Sequence, residues 1–282
     1  MKIIVTGSKG QLGSDLIPLL MGRGHEVVGA DLPEVDITDR TNLQSFIEKE
    51  KPDAVIHLAA MTAVDKAEEE KELCSLVNVT GTENIAEICG KMNIKMLYTS
   101  TDYVFGGEDE EFFETDSPVN PCNHYGLTKY QGEEAVGKFC PKHFIVRISW
   151  VFGIHGKNFI YTMLRLAESH DKITVVSDQI GSPTYTPDLS ELICEMIETE
   201  KYGIYHATNE GICSWAEFAE EIMNTFGKST QIIPITSDKY PTAAKRPHNS
   251  RLSKSSLDES GFARLPHWKD ALIRFKEGTE NG

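Results

Sequence analysis

The sequence predicts an α/β fold: a doubly wound parallel sheet with a smaller, mixed α/β substrate domain laid over its ligand edge. Three observations predict it. Short β-branched runs alternate with helical stretches through the first half of the chain, the rhythm of a parallel sheet with crossover helices. A glycine-rich turn joins the first run to the first helix. The residues at the carboxyl ends of successive runs, Thr6, Asp31, Ala60 and Thr101, converge on the edge where such sheets open a crevice for ligands.

The elements follow in order. Lys2 to Thr6 is short, β-branched and followed by glycine, so it reads as a buried strand. Gly7, Gly10 and Gly13 then punctuate the turn Gly7-Ser8-Lys9-Gly10-Gln11-Leu12-Gly13. A helix follows with Leu12, Leu16, Ile17, Leu19 and Leu20 on its apolar side. This is the strand–turn–helix of a Rossmann dinucleotide site. The glycines allow a tight turn, close approach of a pyrophosphate to the backbone, and packing of helix on strand. The phosphates would sit on the free N–H groups at the helix N-terminus.

Glu26 to Ala30 is the second strand, and Asp31 closes it. A carboxylate there can accept hydrogen bonds from the adenine ribose hydroxyls, which favours NADH. Lys9 could meet the 2′-phosphate of NADPH and pulls the other way, so either cofactor fits. Asp36 and Ile37 read as flanking the adenine or as loop residues. Residues 41–50 are helical. Asp53 to Ala60 is a buried strand ending in small residues, Ala59 and Ala60, where a cofactor can pass close. His57 within it reads as a satisfied core histidine. Residues 64–92 carry one long helical pattern, in which Asn78 needs buried hydrogen-bond partners. Lys95 to Ser100 is the next strand.

Glu108 to Glu111 is an acidic surface loop. Residues 125–138 are helical and Phe144 to Gly153 is a strand, with Trp150 either core or a ligand platform. Beyond it come a helix at 158–169, a turn at 181–184, and a helix with Thr186 as N-cap and Pro187 as its first residue. A strand spans 203–206. Ser214 to Glu217 is a capping box opening a helix that ends near Gly227. The boundary falls at 152: residues 1–152 form the dinucleotide domain and 153–282 the substrate domain, with a segment around 178–200 packing back on the first.

Composition excludes several classes. The 282 residues carry a net charge of −15, the wrong sign for a nucleic-acid binder. No apolar run approaches bilayer-spanning length, and the N-terminus enters a strand too early for a signal peptide. The six cysteines are scattered without metal-ligand or disulfide spacing, as in a cytoplasmic protein with reduced thiols. Any phosphate-bearing ligand must therefore be held by local amides and a few placed cations. Lys245 to Arg251 offers one basic cluster, an anion contact or plain surface charge.

Chemistry concentrates between Tyr98 and Lys129. Tyr125 and Lys129 fall one helical turn apart. Ionising a free phenol at neutral pH costs about 4 kcal/mol, at about 1.4 kcal/mol per unit, and a nearby ammonium reduces that cost. Thr101 places a hydroxyl at the end of a strand, facing the same edge.

These stretches, with Thr62 to Glu68, Arg147 to Val151, Asp178 to Thr184 and Arg246 to Leu252, resemble the extended short-chain dehydrogenase/reductases, and within them the dTDP-4-dehydrorhamnose reductases. The resemblance runs over nearly the whole chain. It implies transfer of a hydride from NADPH or NADH to the C4 ketone of dTDP-4-dehydro-L-rhamnose, in synthesis of dTDP-rhamnose for cell-surface polysaccharide. It gives Tyr125 the role of proton donor, Lys129 that of holding the nicotinamide ribose and lowering the phenol's pKa, and Thr101 that of a hydrogen bond to the ketone. Gly10, Gln11, Leu12, Asp31, Asp36, Ile37, Ala60, Met61 and Thr62 would line the cofactor. Val64, Asp102 and Trp150, with Arg246 from the basic cluster, would line the sugar nucleotide.

Some members bridge two subunits through acidic residues and Mg²⁺. Asp15 stands where such an acid would be, without a clear C-terminal counterpart, so Mg²⁺ and the choice of monomer or homodimer stay open. A 4,6-dehydratase would want a carboxylate pair after the threonine, whereas Tyr103 follows Asp102. A non-catalytic regulatory subunit like that of methionine adenosyltransferase, or a sugar-nucleotide epimerase, shares the same framework.

Overall fold

The structure, a computed structural model, describes residues 1–108 and 110–281; Asp109, in the acidic loop, and Gly282 lie outside the described residues. The first half runs β1 (Lys2–Thr6), α1 (Gln11–Gly22), β2 (Glu26–Ala30), α2 (Arg40–Glu50), β3 (Ala54–His57), α3 (Val64–Glu69), α4 (Lys71–Ser75), a π-helical stretch (Leu76–Gly81), α5 (Thr82–Met92), β4 (Lys95–Thr101), α6 (His124–Phe139) and β5 (His143–Ile148). The second half runs β6 (Val151–Phe152), α7 (Phe159–Ala167), β7 (Lys172–Val176), β8 (Ile180–Gly181), β9 (Thr184–Tyr185), α8 (Thr186–Ile197) and β10 (Gly203–His206). It continues with β11 (Asn209–Glu210), β12 (Cys213–Ser214), α9 (Trp215–Thr225), β13 (Gln231–Ile235), α10 (Ser255–Ser260), β14 (Leu265–His267) and α11 (Trp268–Asn281).

Six strands form the central sheet in the order β10-β5-β4-β3-β1-β2, every pair parallel. The order reverses direction at β1, and the ligand crevice of a doubly wound sheet opens at such a switch point. Both faces are covered, so the strands are apolar on both sides. Ile3, Val5, Ile56, Leu97 and Val146 face α1 and α8. Their neighbours Ile4, Val55, Tyr98 and Ile145 face α2, α5 and α6.

The sheet is not confined to the first half. β10 supplies its outer strand and α8 packs on α1. Leu257 of α10, Phe262 and Leu265 of β14 join this same core. The rest of the second half forms a separate core around Phe152, Phe218, Trp268 and Phe275.

Four local expectations are corrected. The stretch 64–92 is not one helix: it breaks at Glu70 and widens into the π-helical stretch. Asn78 sits there and bonds both backbone groups of Met61, which an unbroken α-helix would aim elsewhere. The strand from 144 ends at Ile148, because Trp150 adopts a left-handed backbone with φ +48°. The 181–184 turn joins two short strands, β8 and β9. Tyr185 rather than Thr186 caps α8, since the Thr186 hydroxyl donates to Asp15 at 2.5 Å. The capping box at Ser214 forms as read, with Glu217 closing it.

His57 is the satisfied core histidine the sequence reads it as. It is fully buried, bonded to Thr6 and Thr82, and burial pulls its pKa down to about 3, so it is neutral.

One buried ion pair ties the layers together. Arg147 on β5 meets Glu133 on α6 through both carboxylate oxygens, at 2.9 and 2.7 Å, and donates to the Thr115 carbonyl. Both side chains are almost fully buried, so losing one strands the other's charge. Glu133→Ala is expected to cost about 3–5 kcal/mol of stability. The shift in denaturant midpoint measures it, and a loss below about 1 kcal/mol would show that Arg147 finds another partner.

Candidate active site

The crevice is built from backbone first. Gly7 turns the chain with φ +70°, and a Cβ there would lie 2.8 Å from the Ala59 nitrogen. Only glycine lets the turn after β1 press against the end of β3. Gly10 then N-caps α1 with no side-chain bond to the first helical N–H groups, and no acid sits in that turn. Those donors are free for an anion, and Gln11, Leu12 and Gly13 carry them. This cradle fits the pyrophosphate of a dinucleotide.

Asp31 follows β2 and accepts from the Ser8 hydroxyl and, at 3.0 Å, from the Lys9 amide. It thus fastens the glycine turn. The Lys9 ammonium lies 3.8 Å from Glu34 in solvent. Asp36 accepts from the Thr38 amide and hydroxyl, and Ile37 is buried beside Gly81. Ala59 and Ala60 are partly exposed after β3, the Ala59 amide donating to Thr6. Met61 is clamped by Asn78, while Thr62 is exposed and Val64 opens α3.

The chemical groups sit at the carboxyl end of β4. Thr101 is its last residue, 5 % exposed. Asn123 caps α6 by accepting from the Gly126 amide at 2.8 Å, which fixes where that helix starts. A Cβ on Gly126 would lie 2.1 Å from the Tyr103 carbonyl. The glycine therefore lets α6 dock on the turn after Thr101, and the Tyr125 phenol comes to lie beside the Thr101 hydroxyl. Burial raises the phenol's pKa well above its ordinary value, and Thr101 pulls the other way. Tyr103 meets the Tyr125 ring edge-on at 5.7 Å.

Lys129 lies one turn on and is 3 % exposed. Its ammonium donates to the Thr99 carbonyl at 2.7 Å and sits 4.1 Å over the Tyr98 ring. Burial pulls its pKa down to about 7, against the opposing charge of Glu133. Here burial, rather than Lys129, sets the phenol's acidity.

A cavity of about 930 Å³ opens beside this group, lined by Tyr103, Phe159, Trp215, Lys245 and Arg246 among others. Trp150 stacks on Trp215 at 3.8 Å, which offsets the strain of its left-handed backbone. Arg246 reaches the cavity but pairs with Asp65, at 2.6 and 3.3 Å, and Asp65 also accepts from the Ala244 amide. Sequence reasoning passed over Tyr103, Trp215 and Asp65 as site residues. Tyr103 and Asp65 lay inside motifs already singled out; Trp215, read only as part of a capping box, carried no signal of its own.

Gly126→Ala pushes a methyl into the Tyr103 carbonyl. It is expected to destabilise the fold by about 1–3 kcal/mol and to slow turnover by separating Tyr125 from Thr101. Chemical denaturation and steady-state kinetics check it; wild-type values in both would mean that α6 docks with room to spare.

The family described as RmlD substrate binding domain matches residues 1–280. The chain is 40% identical over 274 residues to the spore coat polysaccharide biosynthesis protein SpsK of Bacillus subtilis, covering 97% of this chain and 96% of that one. It is 39% identical over 292 residues to a dTDP-4-dehydrorhamnose reductase of Aggregatibacter actinomycetemcomitans, covering 99% of each. Its fold superposes on a dTDP-4-dehydrorhamnose reductase of Bacillus anthracis, solved in complex with NADP, with a TM-score of 0.96 at 39% identity over 99% of each chain. Likeness of this extent in sequence and in fold decides kinship: the chain belongs to the RmlD substrate-binding domain family.

Proposed function

We propose that this protein reduces the C4 ketone of dTDP-4-dehydro-L-rhamnose to dTDP-L-rhamnose with NADPH or NADH. The observation that carries the reading is the phenol of Tyr125 beside the Thr101 hydroxyl, one turn from Lys129, at the edge that also bears the glycine turn. The names of full-length relatives support the same reading. They favour it over a non-catalytic regulatory subunit or an epimerase.

When bound, the nicotinamide supplies the hydride. The chain's own residues do the rest. Gly7, Gly10, Gln11, Leu12 and Gly13 hold the pyrophosphate with backbone donors. Asp31, Asp36 and Ile37 take the adenosine end, and Ala59, Ala60, Met61 and Thr62 line its path. Lys129 holds the ribose. Tyr125 protonates the oxygen that gains charge as the carbonyl is reduced, and Thr101 holds that oxygen in line. The high pKa of the buried phenol suits an acid that keeps its proton until an alkoxide forms. Val64, Trp150 and Arg246 contact the sugar nucleotide, whereas Asp102, expected to line it too, is 2 % exposed and sits behind Thr101. The chain as far as β5, completed by α8 and β10, carries the cofactor, and the rest, including Phe152 at the expected boundary, carries the substrate. The protein works in the cytoplasm as a monomer or homodimer; among the described residues no helix is long and apolar enough to cross a membrane.

The test is NADPH and NADH oxidation against a panel of dTDP-4-keto sugars. The rhamnose precursor is expected to give the highest kcat/KM, and consumption of neither cofactor with any sugar would refute the assignment. Tyr125→Phe is expected to bind NADPH normally and lose at least about 100-fold in turnover. Near-normal turnover would mean that another group supplies the proton.

A further inference from the structure

Thr101 has one hydroxyl hydrogen and two lone pairs. Its oxygen accepts the Tyr103 amide at 3.2 Å, and its hydrogen goes to Asp102 Oδ1 at 2.9 Å. An ionised carboxylate can only accept. So long as Asp102 is charged, Thr101 has no hydrogen left for a substrate carbonyl. A neutral Asp102 reverses the bond: the carboxyl donates, Thr101 accepts, and the threonine hydrogen is released toward Tyr125 and the crevice.

The surroundings favour the neutral form. Asp102 is 2 % exposed, and its Oδ2 is buried without a hydrogen-bond partner of good geometry. Such an oxygen is costly as an anion. The titratable groups that feel its charge are Tyr103 on its own turn, Tyr125 on α6 and Cys122 in the loop before α6, and none of them is a cation. Arg246, beyond Tyr103, is paired with Asp65. Ser250, from the loop after β13, and Thr101 favour the ionised form, yet burial outweighs them and raises the carboxyl to about 6.

We propose that Asp102 is a positioning acid: as a neutral carboxyl it donates to Thr101 and thereby turns the Thr101 hydroxyl into a donor for the substrate carbonyl. Its proton never leaves it. The proton delivered to substrate is that of Tyr125, so the step stays balanced with hydride and phenol alone. The proposal rests on the reductase reading and adds a pH dependence to it.

Two measurements test it. Infrared spectroscopy of the wild-type protein on either side of neutrality should show a protonated carboxyl C=O band that Asp102→Asn abolishes. In the NADPH oxidation assay, wild-type kcat should fall with rising pH, toward about tenfold per unit once Asp102 is ionised. Asp102→Asn, whose amide remains a donor, should lose that fall, leaving only what Lys129 contributes. Thr101→Val should be slow throughout, with the same limb missing. Absence of the band, or an Asp102→Asn profile that keeps the wild-type decline, overturns the proposal. A band with no turnover of any dTDP-keto sugar overturns the reductase reading alone and leaves the neutral carboxyl bonded to Thr101 in place.

Discussion

The site depends on a backbone contact: the first turn of α6 rests on the carbonyl of Tyr103, with room for nothing larger than Gly126. That contact depends on β4 ending at Thr101 and on Asn123 setting the first turn of α6. It decides the distance between a strand-end hydroxyl and a helix-borne phenol. Everything else supports it. Asn78 clamps Met61 and donates to Thr128 of α6 at 3.1 Å, so the segment after β3 and the phenol's helix share one side chain. Arg147 and Glu133 pin the middle of α6 to β5.

Burial gives the site its electrical character. Asp102, Tyr125 and Lys129 are each pushed toward their neutral forms by loss of water. A cleft lined by neutral donors loses little when a lid or ligand expels more solvent. It gains most when charge appears on a reacting oxygen, because that charge then finds aligned donors in a poorly screened setting. At the glycine turn α1 begins with bare amides and no acid in its first turn, and the nearby Asp31 carboxylate is held by the Ser8 hydroxyl and the Lys9 amide.

Much of this was legible in the residues. Short β-branched runs ending in Thr6, Asp31 and Thr101, with glycines at fixed offsets, point to a parallel sheet and its crevice. The capping box at Ser214 and the buried histidine at 57 are likewise local rules that tertiary context did not override. The failures share a cause: they depend on neighbours distant in the chain. The helix from 64 to 92 widens because Asn78 must reach Met61. The strand from 144 stops because Trp150 has Trp215 to stack on, and no periodicity encodes a partner so far away. Thr186 yields its cap because Asp15, on another helix, claims its hydroxyl. In the site, residue spacing gave Tyr125, Lys129 and Thr101, but not the salt bridge that occupies Arg246. Nor did it show that burial would raise the phenol's pKa.

The sheet's outermost strand and the helix that covers α1 both come from beyond residue 185. A ribosome-bound chain released only as far as β9 therefore holds five strands with an open edge at β5, and the Leu12–Leu16–Leu20 stripe of α1 has no α8 to cover it. The sheet cannot be completed until α8 and β10 have been made. Its vulnerable interval lasts until the second half threads back, and in that interval the nascent protein has most need of a chaperone.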